Sequence, residues 1–358
     1  MRDETRMLLE SMNRLFEDHC TKQIADNAEA GTFPGALWQA VSETGVPLAA
    51  LPESAGGADA EWSDLYAVLR VAGRFSAPIP LAETMLAAWI ASSAGLEVSE
   101  KPMTVGPVRA DDRLTLERDG NGWRLSGRAS RLPWATDVAR IVLLADGPDG
   151  AMAVALDGTA GAEVAAGRNM AGEPRDTLSF SRLRVAGDAV APVAVGVERA
   201  ALYRRGALAR AVLMAGAMER ALDTAVTYAG ERKQFGRPIG KFQAVQQQLA
   251  VMAGQVAAAG VAADAGVEAL SIDDPARQEF LIAIAKTRVG DAATLASEIA
   301  HQVHGAIGFT KEYSLQLATR RLWSWREEFG GDTEWAARVG AYVCAGGADA
   351  LWPTLTDG

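Results

Sequence analysis

The sequence predicts a mainly helical α+β protein in which helices, then strands, then helices follow one another along the chain. Apolar residues recur at helical spacing up to about residue 100 and again from about residue 196, whereas between them the apolar period falls to two. Because runs of one element type follow runs of another, we expect segregated domains at residues 1–100, 101–195 and 196–358. The length of 358 residues is sufficient for two or three such domains.

The first segment is expected to be an N-terminal helical domain. The apolar positions of its first helix are Leu8, Leu9, Met12, Leu15 and Phe16. A Gly56–Gly57 turn follows, after which Ser63 is predicted to cap a further helix. The stretch FSAPIPLAE, residues 75–83, is expected to end that helix and to begin the next.

The middle segment is expected to form a small antiparallel β domain. The stretch RLTLERDGNGWRLSG, residues 113–127, alternates apolar and polar residues on both sides of an Asp-Gly-Asn-Gly turn, which is typical of a β-hairpin. ARIVLLAD, AMAVALD and DTLSFSRLRVAGD are further strand candidates. In the last of these, Leu178 and Phe180 alternate with polar residues.

The last segment predicts a bundle of helices, in which small residues permit close helix approach. The apolar face of its first helix contains Leu208, Val212, Ala215, Leu222 and Ala225. The weakly polar run from Ala250 to Val267 is interrupted by Gln255 and Asp264. We therefore interpret this run as a packed bundle helix and expect no membrane span.

Composition and charge narrow the possible functions. The net charge of −10 and the lack of a Lys/Arg block argue against a nucleic-acid partner. Cys20 and Cys344 are far apart and His19, His301 and His304 are scattered, so we expect neither a disulfide framework nor a metal site. The charged, amphipathic N-terminus lacks the apolar region of a signal peptide, and a cytoplasmic, reducing setting is expected.

Three stretches of the chain carry a family resemblance. YAGERKQFGRPIGKFQAVQQQLA, residues 228–250, closely resembles the signature of the acyl-CoA dehydrogenase family. QVHGAIGFTKEYSLQLATRRL, residues 302–322, and GVPLAALPESAGG, residues 45–57, resemble two further motifs of that family. The resemblance covers most of the chain. It implies FAD as cofactor and the family's fold, which has an N-terminal helical domain, a central antiparallel β domain and a C-terminal four-helix bundle.

The residue types in these motifs suit an anionic cofactor. Arg232 offers a planar fork of donors for a pyrophosphate, and amide side chains can hydrogen-bond phosphate or ribose. Glycines let the backbone approach a ligand closely. The resemblance implies that a set of these residues contacts FAD across a subunit interface: Arg232, Gln234, Phe235, Gln243, Gln302, Gly305 and Gly308.

Each of these residues also has a structural interpretation. Taken alone, Arg232 would be a surface side chain, the glutamine run a solvated helix face, and Gly305 and Gly308 loop residues. Trp134 occupies the place of a flavin-side segment and is a cofactor-binding candidate, but it could equally be a core tryptophan. His304 is expected to be structural.

The resemblance leaves the catalytic base open. The family removes the α-proton of an acyl-CoA thioester with a carboxylate, while a hydride leaves the β-carbon for the flavin. The position of that carboxylate falls on Phe329, and the preceding Glu328 and Glu327 are the candidate bases. The position used by some other members falls on Gly206, which has no side chain. A solvated acidic turn explains Glu327 and Glu328 equally well.

Short members of this kind resemble subunits of α2β2 dehydrogenases that act on bulky CoA thioesters such as steroid side chains. We therefore expect α,β-desaturation of an acyl-CoA, with an electron-transfer flavoprotein as acceptor. The assembly would be a homo-oligomer or a heterotetramer with a second dehydrogenase subunit. The alternatives are a self-sufficient homotetramer, a non-catalytic subunit that completes its partner's FAD site, and a flavin oxidase of the same fold.

Overall fold

The computed structural model describes residues 2–356, and its first part is helical as predicted. Five α-helices precede the first strand: α1 (Asp3–His19), α2 (Lys22–Glu29), α3 (Gly35–Ser42), α4 (Trp62–Arg74) and α5 (Leu81–Ser93). Residues 75–80 separate α4 from α5, which agrees with the predicted break. The predicted cap at Ser63 is wrong, because α4 begins at Trp62 and Ser63 lies inside the helix. Its N-cap Glu61 has extended backbone and instead accepts the Ser63 hydroxyl at 3.2 Å.

Eight strands form one sheet in the middle of the chain. They are β1 (Met103–Gly106), β2 (Arg113–Asp119), β3 (Gly122–Pro133), β4 (Arg140–Gly147), β5 (Gly150–Asp157), β6 (Glu163–Ala165), β7 (Arg175–Val185) and β8 (Val190–Pro192). The order is β6-β7-β3-β2-β4-β5-β8, and β1 also pairs with β4. The hairpin predicted from the Asp-Gly-Asn-Gly turn is β2–β3, in which Asp119 pairs with Gly122.

The sheet is mixed, whereas the sequence predicted an antiparallel sheet. β1 runs parallel to β4, and β2 meets β4 in parallel at Thr115 and Asp146. β1 enters from α5 and not through a tight hairpin, so its connection does not impose an antiparallel direction. The hydroxyl of Thr84 on α5 ties helix to strand, because it exchanges hydrogen bonds with the N–H and carbonyl of Met103 at 3.0 and 3.1 Å.

The remainder of the chain is helical apart from a short hairpin. Its elements are α6 (Arg199–Glu231), β9 (Lys233–Gln234), β10 (Arg237–Pro238), α7 (Gln243–Glu268), α8 (Pro275–His304), α9 (Leu315–Trp325), α10 (Asp332–Gly346) and α11 (Ala348–Thr356). The chain divides into two compact units, Met1–Ala209 and Arg210–Gly358. The first unit holds the N-terminal helices together with the sheet, and the three-domain division at residues 100 and 195 stays a prediction.

One helical stretch of the described residues, Gln243–Ser271, is long and apolar enough to cross a membrane by length and composition alone. One third of its most apolar window is buried. On the buried side of α7, Met252, Val256 and Ala259 pack in the helical unit, where α7 lies along α8. This packing agrees with the bundle helix expected from sequence.

We predict that two glycines of the β2–β3 region differ in their tolerance of a methyl group. Gly127 has φ +120° and a Cβ there would overlap the Arg113 carbonyl, whereas Gly120 has φ +61° with nothing within 4 Å. Gly120→Ala should lower the free energy of unfolding by about 1 kcal/mol through left-handed backbone strain alone. Gly127→Ala should cost distinctly more, because clash adds to strain of about 1–3 kcal/mol. Urea denaturation of both variants checks this, and equal losses would contradict it.

Candidate functional site

Two of the sequence motifs emerge from neighbouring helix ends. Tyr228 on the last turns of α6 stacks on His304 at the end of α8, with ring centroids 4.5 Å apart and planes at 26°. The Nδ1–H of His304 donates to the Ala300 carbonyl at 2.7 Å, and its Nε2 lies 3.2 Å from the Tyr313 hydroxyl. Burial lowers the pKa of His304, which favours this neutral ring. His304 therefore has the structural role expected from sequence, because it joins the two motifs.

The segment after α6, residues 232–242, which we call the arm, projects its side chains into solvent. It is held by the short β9–β10 hairpin and by the Ile239 N–H, which donates to the Arg232 carbonyl at 2.8 Å. At its tip, Phe235 has φ +51° and is 93% exposed. Its ring meets that of Phe242 edge-on at 6.1 Å, and this contact leaves most of a large apolar side chain in open solvent. The arm thus has the form of a segment that contacts something outside the chain.

The polar side chains of the predicted cofactor set are exposed and unused. Arg232, Gln234, Gln243 and Gln302 all lie in exposed positions. Within residues 2–356, none of these four side chains forms a hydrogen bond or ion pair. A guanidinium fork and amide groups that no internal acceptor occupies suit a phosphate-bearing ligand that binds from outside. The residues present therefore fit the dinucleotide part of FAD.

The two glycines of the 305–309 turn differ in their surroundings. Gly305 caps α8 with φ +63°, and no atom lies within 4 Å of a Cβ built there, so its backbone is open to a ligand. Gly308 is buried, and a Cβ there would stand 3.1 Å from both His301 Nδ1 and His304 Cβ. Close packing against these rings explains Gly308 without a ligand. The ligand argument made from sequence thus applies to Gly305 more directly than to Gly308.

Sequence reasoning gave no role to His301, which packs against the 305–309 turn. Its ring stacks on Phe309 at 4.0 Å and lies 5.7 Å from the ring of Trp323. Its Nε2 lies 2.9 Å from the hydroxyl of Thr319 on α9. Burial lowers the pKa of His301, so its ring is held neutral in this stack. The aromatic residues that follow the HxxH spacing, Phe309 and Tyr313, were the available sequence signal.

The surroundings of Trp134 are compatible with both interpretations made from sequence, a core tryptophan and a cofactor-binding residue. It is 4% exposed in the apolar core of the sheet, where Phe33 meets it edge-on at 6.2 Å. It also lines a cavity of about 510 Å³ that Thr136 and Asp176 share. The hydroxyl and N–H of Thr136 both donate to the Asp176 carboxylate, at 2.9 and 3.2 Å. Contact of Trp134 with the cofactor stays a prediction.

The candidate base Glu328 lies in a buried ion pair. Its carboxylate accepts the Nε–H of Arg210 on α6 at 2.6 Å, and the two side chains are 12% and 3% exposed. Arg210 also lies over the ring of the buried Phe329, 5.6 Å from its centroid. Glu327 is 65% exposed and only 3.5 Å from the Arg326 guanidinium. The solvated turn therefore describes Glu327, whereas Glu328 is an internal counter-ion.

Lys286 on α8 fixes the same turn through its backbone. Its ammonium is fully buried and donates to the carbonyls of Trp325 and Arg326, at 3.1 and 2.7 Å, where α9 ends. Burial lowers the pKa of Lys286 to about 8, although nearby Asp332 and Glu328 oppose the shift. Sequence reasoning missed Lys286 and Arg210. The signal was a cation inside an apolar helical run, in LIAIAKTRVG and ALARAVLMAG.

The comparisons with known proteins agree on one family. A sequence model described as the N-terminal domain of acyl-CoA dehydrogenases matches residues 2–101, and one described as their C-terminal domain matches residues 200–341. Acyl-CoA dehydrogenase IpdE2 of Mycolicibacterium smegmatis is 28% identical over 96% of this chain and 100% of its own length. Acyl-CoA dehydrogenase FadE34 of Mycobacterium tuberculosis is 31% identical over 83% of this chain, which spans 40% of FadE34.

Solved structures agree with these relatives. A Tcur3481–Tcur3483 steroid ACAD variant superposes with a TM-score of 0.86 at 26% identity, over 96% of this chain and 98% of that one. The ChsE4–ChsE5 complex from Mycobacterium tuberculosis gives a TM-score of 0.87 at 22% identity, over 97% and 99% of the two chains. The second likeness concerns the fold alone.

The pKa of Lys286 predicts a pH dependence of stability. In the unfolded chain this lysine titrates near its ordinary 10.5, and in the folded chain near 8. Between these values the unfolded state binds more protons, so the wild type gains stability as pH rises, and below pH 8 the burial penalty is fully present. Lys286→Met lacks this titration. The stability of the wild type relative to Lys286→Met should therefore rise by about 3 kcal/mol across the window.

Chemical denaturation at several values between pH 7.5 and about 10.5 measures this difference. Lys241→Met, which removes an exposed lysine of the arm, is the matched control and should give curves parallel to the wild type. Parallel curves for Lys286→Met as well would contradict the buried-ammonium interpretation.

Proposed function

Since the chain belongs to the acyl-CoA dehydrogenase family, we propose that it works as one subunit of a heteromeric dehydrogenase for bulky acyl-CoA thioesters. It is an oxidoreductase that acts on acyl-CoA, and its cofactor is FAD. The proposed reaction is α,β-desaturation of a bulky thioester such as a steroid side-chain CoA. An electron-transfer flavoprotein would take up the electrons.

The proposal rests on a contrast between the exposed cofactor-binding side chains and the position of the catalytic base. The side chains that suit FAD are exposed on the arm and at the adjoining ends of α7 and α8, and within residues 2–356 no acceptor pairs with the Arg232 side chain. At the position of the family's base stands Phe329, and the neighbouring Glu328 is engaged by Arg210 at 2.6 Å. The chain thus retains groups for a cofactor bound from outside and lacks an unengaged carboxylate beside position 329. A partner chain that supplies the base would complete this arrangement.

The chain's own residues would act by binding and orientation. The guanidinium of Arg232 would hold the pyrophosphate through paired hydrogen bonds, with Gln234, Gln243 and Gln302 on the remaining oxygens and hydroxyls. Phe235 would cover an apolar face, and the open backbone at Gly305 would permit close approach. FAD, when bound, supplies the two-electron acceptor of the desaturation. Exclusion of water at the contact would strengthen each of these charge interactions.

Relatives named above support the heteromeric assembly and the bulky substrate. The Tcur3481–Tcur3483 structure is a steroid ACAD with two differently named components, and this chain matches 98% of the superposed component. The likeness to IpdE2 covers 96% of this chain and 100% of that dehydrogenase. The self-sufficient homotetramer is the competing assembly, with Glu328 as its base.

The flavin content of the chain tests the proposal directly. Expressed alone, it should carry well under one FAD per chain, because half of each site would be missing. Expressed together with its partner, it should carry bound flavin that Arg232→Gln reduces. Flavin absorbance and the mass of the assembly measure both. About one FAD per chain in a homotetramer of the chain alone would overturn the heteromeric proposal and direct attention to Glu328.

Glu328→Gln separates a counter-ion from a base. As a counter-ion, Glu328 holds the buried Arg210, so its neutralisation should lower stability by up to about 3–5 kcal/mol while turnover per folded complex changes less than about tenfold. Loss of a true base should lower turnover by about a hundredfold or more. Turnover and the unfolding midpoint of the purified complex distinguish the two. Glu298→Gln, which neutralises an exposed glutamate on α8, is the control and should change neither.

A further inference from the structure

A buried imidazole touches the turn that carries part of the predicted cofactor site. His301 lies in the last turn of α8 and is 6% exposed. The rings of Phe309 and Trp323 lie nearly parallel to its ring, at 19° and 17°. The ring nitrogen Nδ1 faces the turn, because a Cβ at Gly308 would stand 3.1 Å from it. The protonation state of His301 is therefore linked by direct contact to the 305–309 turn.

The neutral ring of His301 fits its surroundings in one tautomer. Its Nε2 lies 2.9 Å from the hydroxyl oxygen of Thr319, whose own O–H donates to the Leu315 carbonyl at 3.5 Å. Its Nδ1 is screened from solvent, and no group within residues 2–356 forms a hydrogen bond with it. A proton on Nδ1 would be a buried donor without an acceptor. The proton of the neutral ring therefore belongs on Nε2, from which it donates to Thr319.

A second proton on this ring has no acceptor in the present structure. It would create an N–H at Nδ1, on the side of the ring that faces the Gly308 backbone. The faces of Phe309 and Trp323 attract a cation, but they lie above and below the ring and cannot accept from an N–H in its plane. A buried N–H without an acceptor loses the hydrogen bond that water would have given it.

The charge of a protonated His301 would also lack a counter-ion. The titratable group of the described residues that acts on His301 is His304, which lowers its pKa in addition to the larger effect of burial. Glu298, one turn earlier on α8, is exposed and does not act on this pKa. The charged side chains of α9 are themselves cations, Arg320 and Arg321. The other residues that contact the ring from the turn and from α9 are uncharged: Gly308, Phe309, Thr319 and Trp323.

His304 differs from His301 in this respect. Both of its ring nitrogens have an oxygen neighbour, the Ala300 carbonyl at 2.7 Å and the Tyr313 hydroxyl at 3.2 Å. A second proton on its Nε2 has the Tyr313 oxygen as acceptor once the hydroxyl rotates. Protonation of His304 is therefore compatible with the present arrangement of the turn, whereas protonation of His301 is not.

We infer that His301 is a proton-sensitive positioning residue: its neutral ring holds the 305–309 turn in the form that suits FAD, and its charged ring displaces the turn. Burial lowers the pKa of His301 from its ordinary 6.5, so the ring is neutral near pH 7. At lower pH the turn must move away from Nδ1 to admit water as an acceptor. Gln302 and Gly305, which we expect at FAD, lie on the two sides of the helix end that would move. This inference rests on the proposed function, since it assigns the turn to FAD.

The pH dependence of FAD affinity tests the inference. The dissociation constant of FAD is measured for the purified complex between pH 8 and pH 5, from the fluorescence of released flavin. For the wild type it should be level above about pH 7 and rise by about tenfold or more between pH 6.5 and pH 5, because release then takes up one proton. His301→Phe keeps a ring for the stack but cannot be protonated, so its dissociation constant should stay level. His19→Gln removes an exposed histidine of α1 and should follow the wild type.

The small number of histidines allows the titrating ring to be identified. The chain has three, His19, His301 and His304. With 13C-labelled histidine in this chain alone, each ring gives one C2–H signal in the complex, and the signals lost in His19→Gln and His301→Phe assign all three. The His301 signal should titrate over the pH range in which FAD affinity falls.

The possible failures of the inference are distinguishable. A wild-type dissociation constant that stays level down to pH 5 would overturn the inference and leave the proposed function intact. A pH dependence that persists in His301→Phe, or that follows the signal of His304, would assign the effect to another group. Failure of the complex to bind FAD at any pH would overturn the proposed function as well.

Should His301→Phe not fold, His301→Gln keeps the test valid. Its amide is uncharged at every pH and still offers Thr319 a donor, although it removes the ring from the stack. Loss of the stack alone would weaken FAD binding equally at every pH, with the wild-type pH dependence retained. Such a result would contradict the proton-sensitive role, whereas a level dissociation constant would support it.

Discussion

The neutralisation of two cations buried in the helical unit constrains the segment that follows α9. Arg210 and Lys286 have almost no access to water, and a charge in that environment needs a partner. Glu328 supplies a carboxylate to one, and the last carbonyls of α9 supply acceptors to the other. The Trp325 carbonyl also accepts the Glu328 N–H at 3.2 Å, so Lys286 adds a second donor at this helix end. The turn is therefore determined by charge as well as by packing.

The arm and the 305–309 turn show the opposite condition. Within residues 2–356 the side chains of Arg232 and Gln234 on the arm form no hydrogen bond or ion pair, and Phe235 lies at the tip in strained backbone. This exposure is tolerated because the helix ends from which both segments emerge are fixed by the Tyr228–His304 stack. A segment that is rigid where it leaves its helix and exposed at its tip is suited to binding a partner outside the chain. Polar groups arranged in this way need no ordering at the moment of binding.

Sequence reasoning recovered the elements and the exposed motif, and it missed the buried charges. The apolar pattern located every strand from β2 to β5 and β7: β2 alternates because one face is buried, whereas β4 is a continuous apolar run that is buried on both faces. It did not give the parallel direction of β1, which depends on where the chain enters the sheet. Nor could it show that Glu328 faces Arg210, since 118 residues separate them and the contact depends on the packing of two helices. Motif residues such as Arg232 were found because their spacing is local.

Phe329 illustrates how the turn is arranged for rigidity. It has φ +53°, an uncommon conformation for an aromatic residue, which costs about 1–3 kcal/mol. The strain persists because Trp335 donates its Nε1–H to the Phe329 carbonyl at 2.8 Å and Arg210 lies against the ring. A proton acceptor at this position would require freedom from such contacts and access to the reacting carbon. A further carboxylate beside Glu327, Glu328 and Asp332 would also add repulsion, so the local charge arrangement itself favours an apolar residue here.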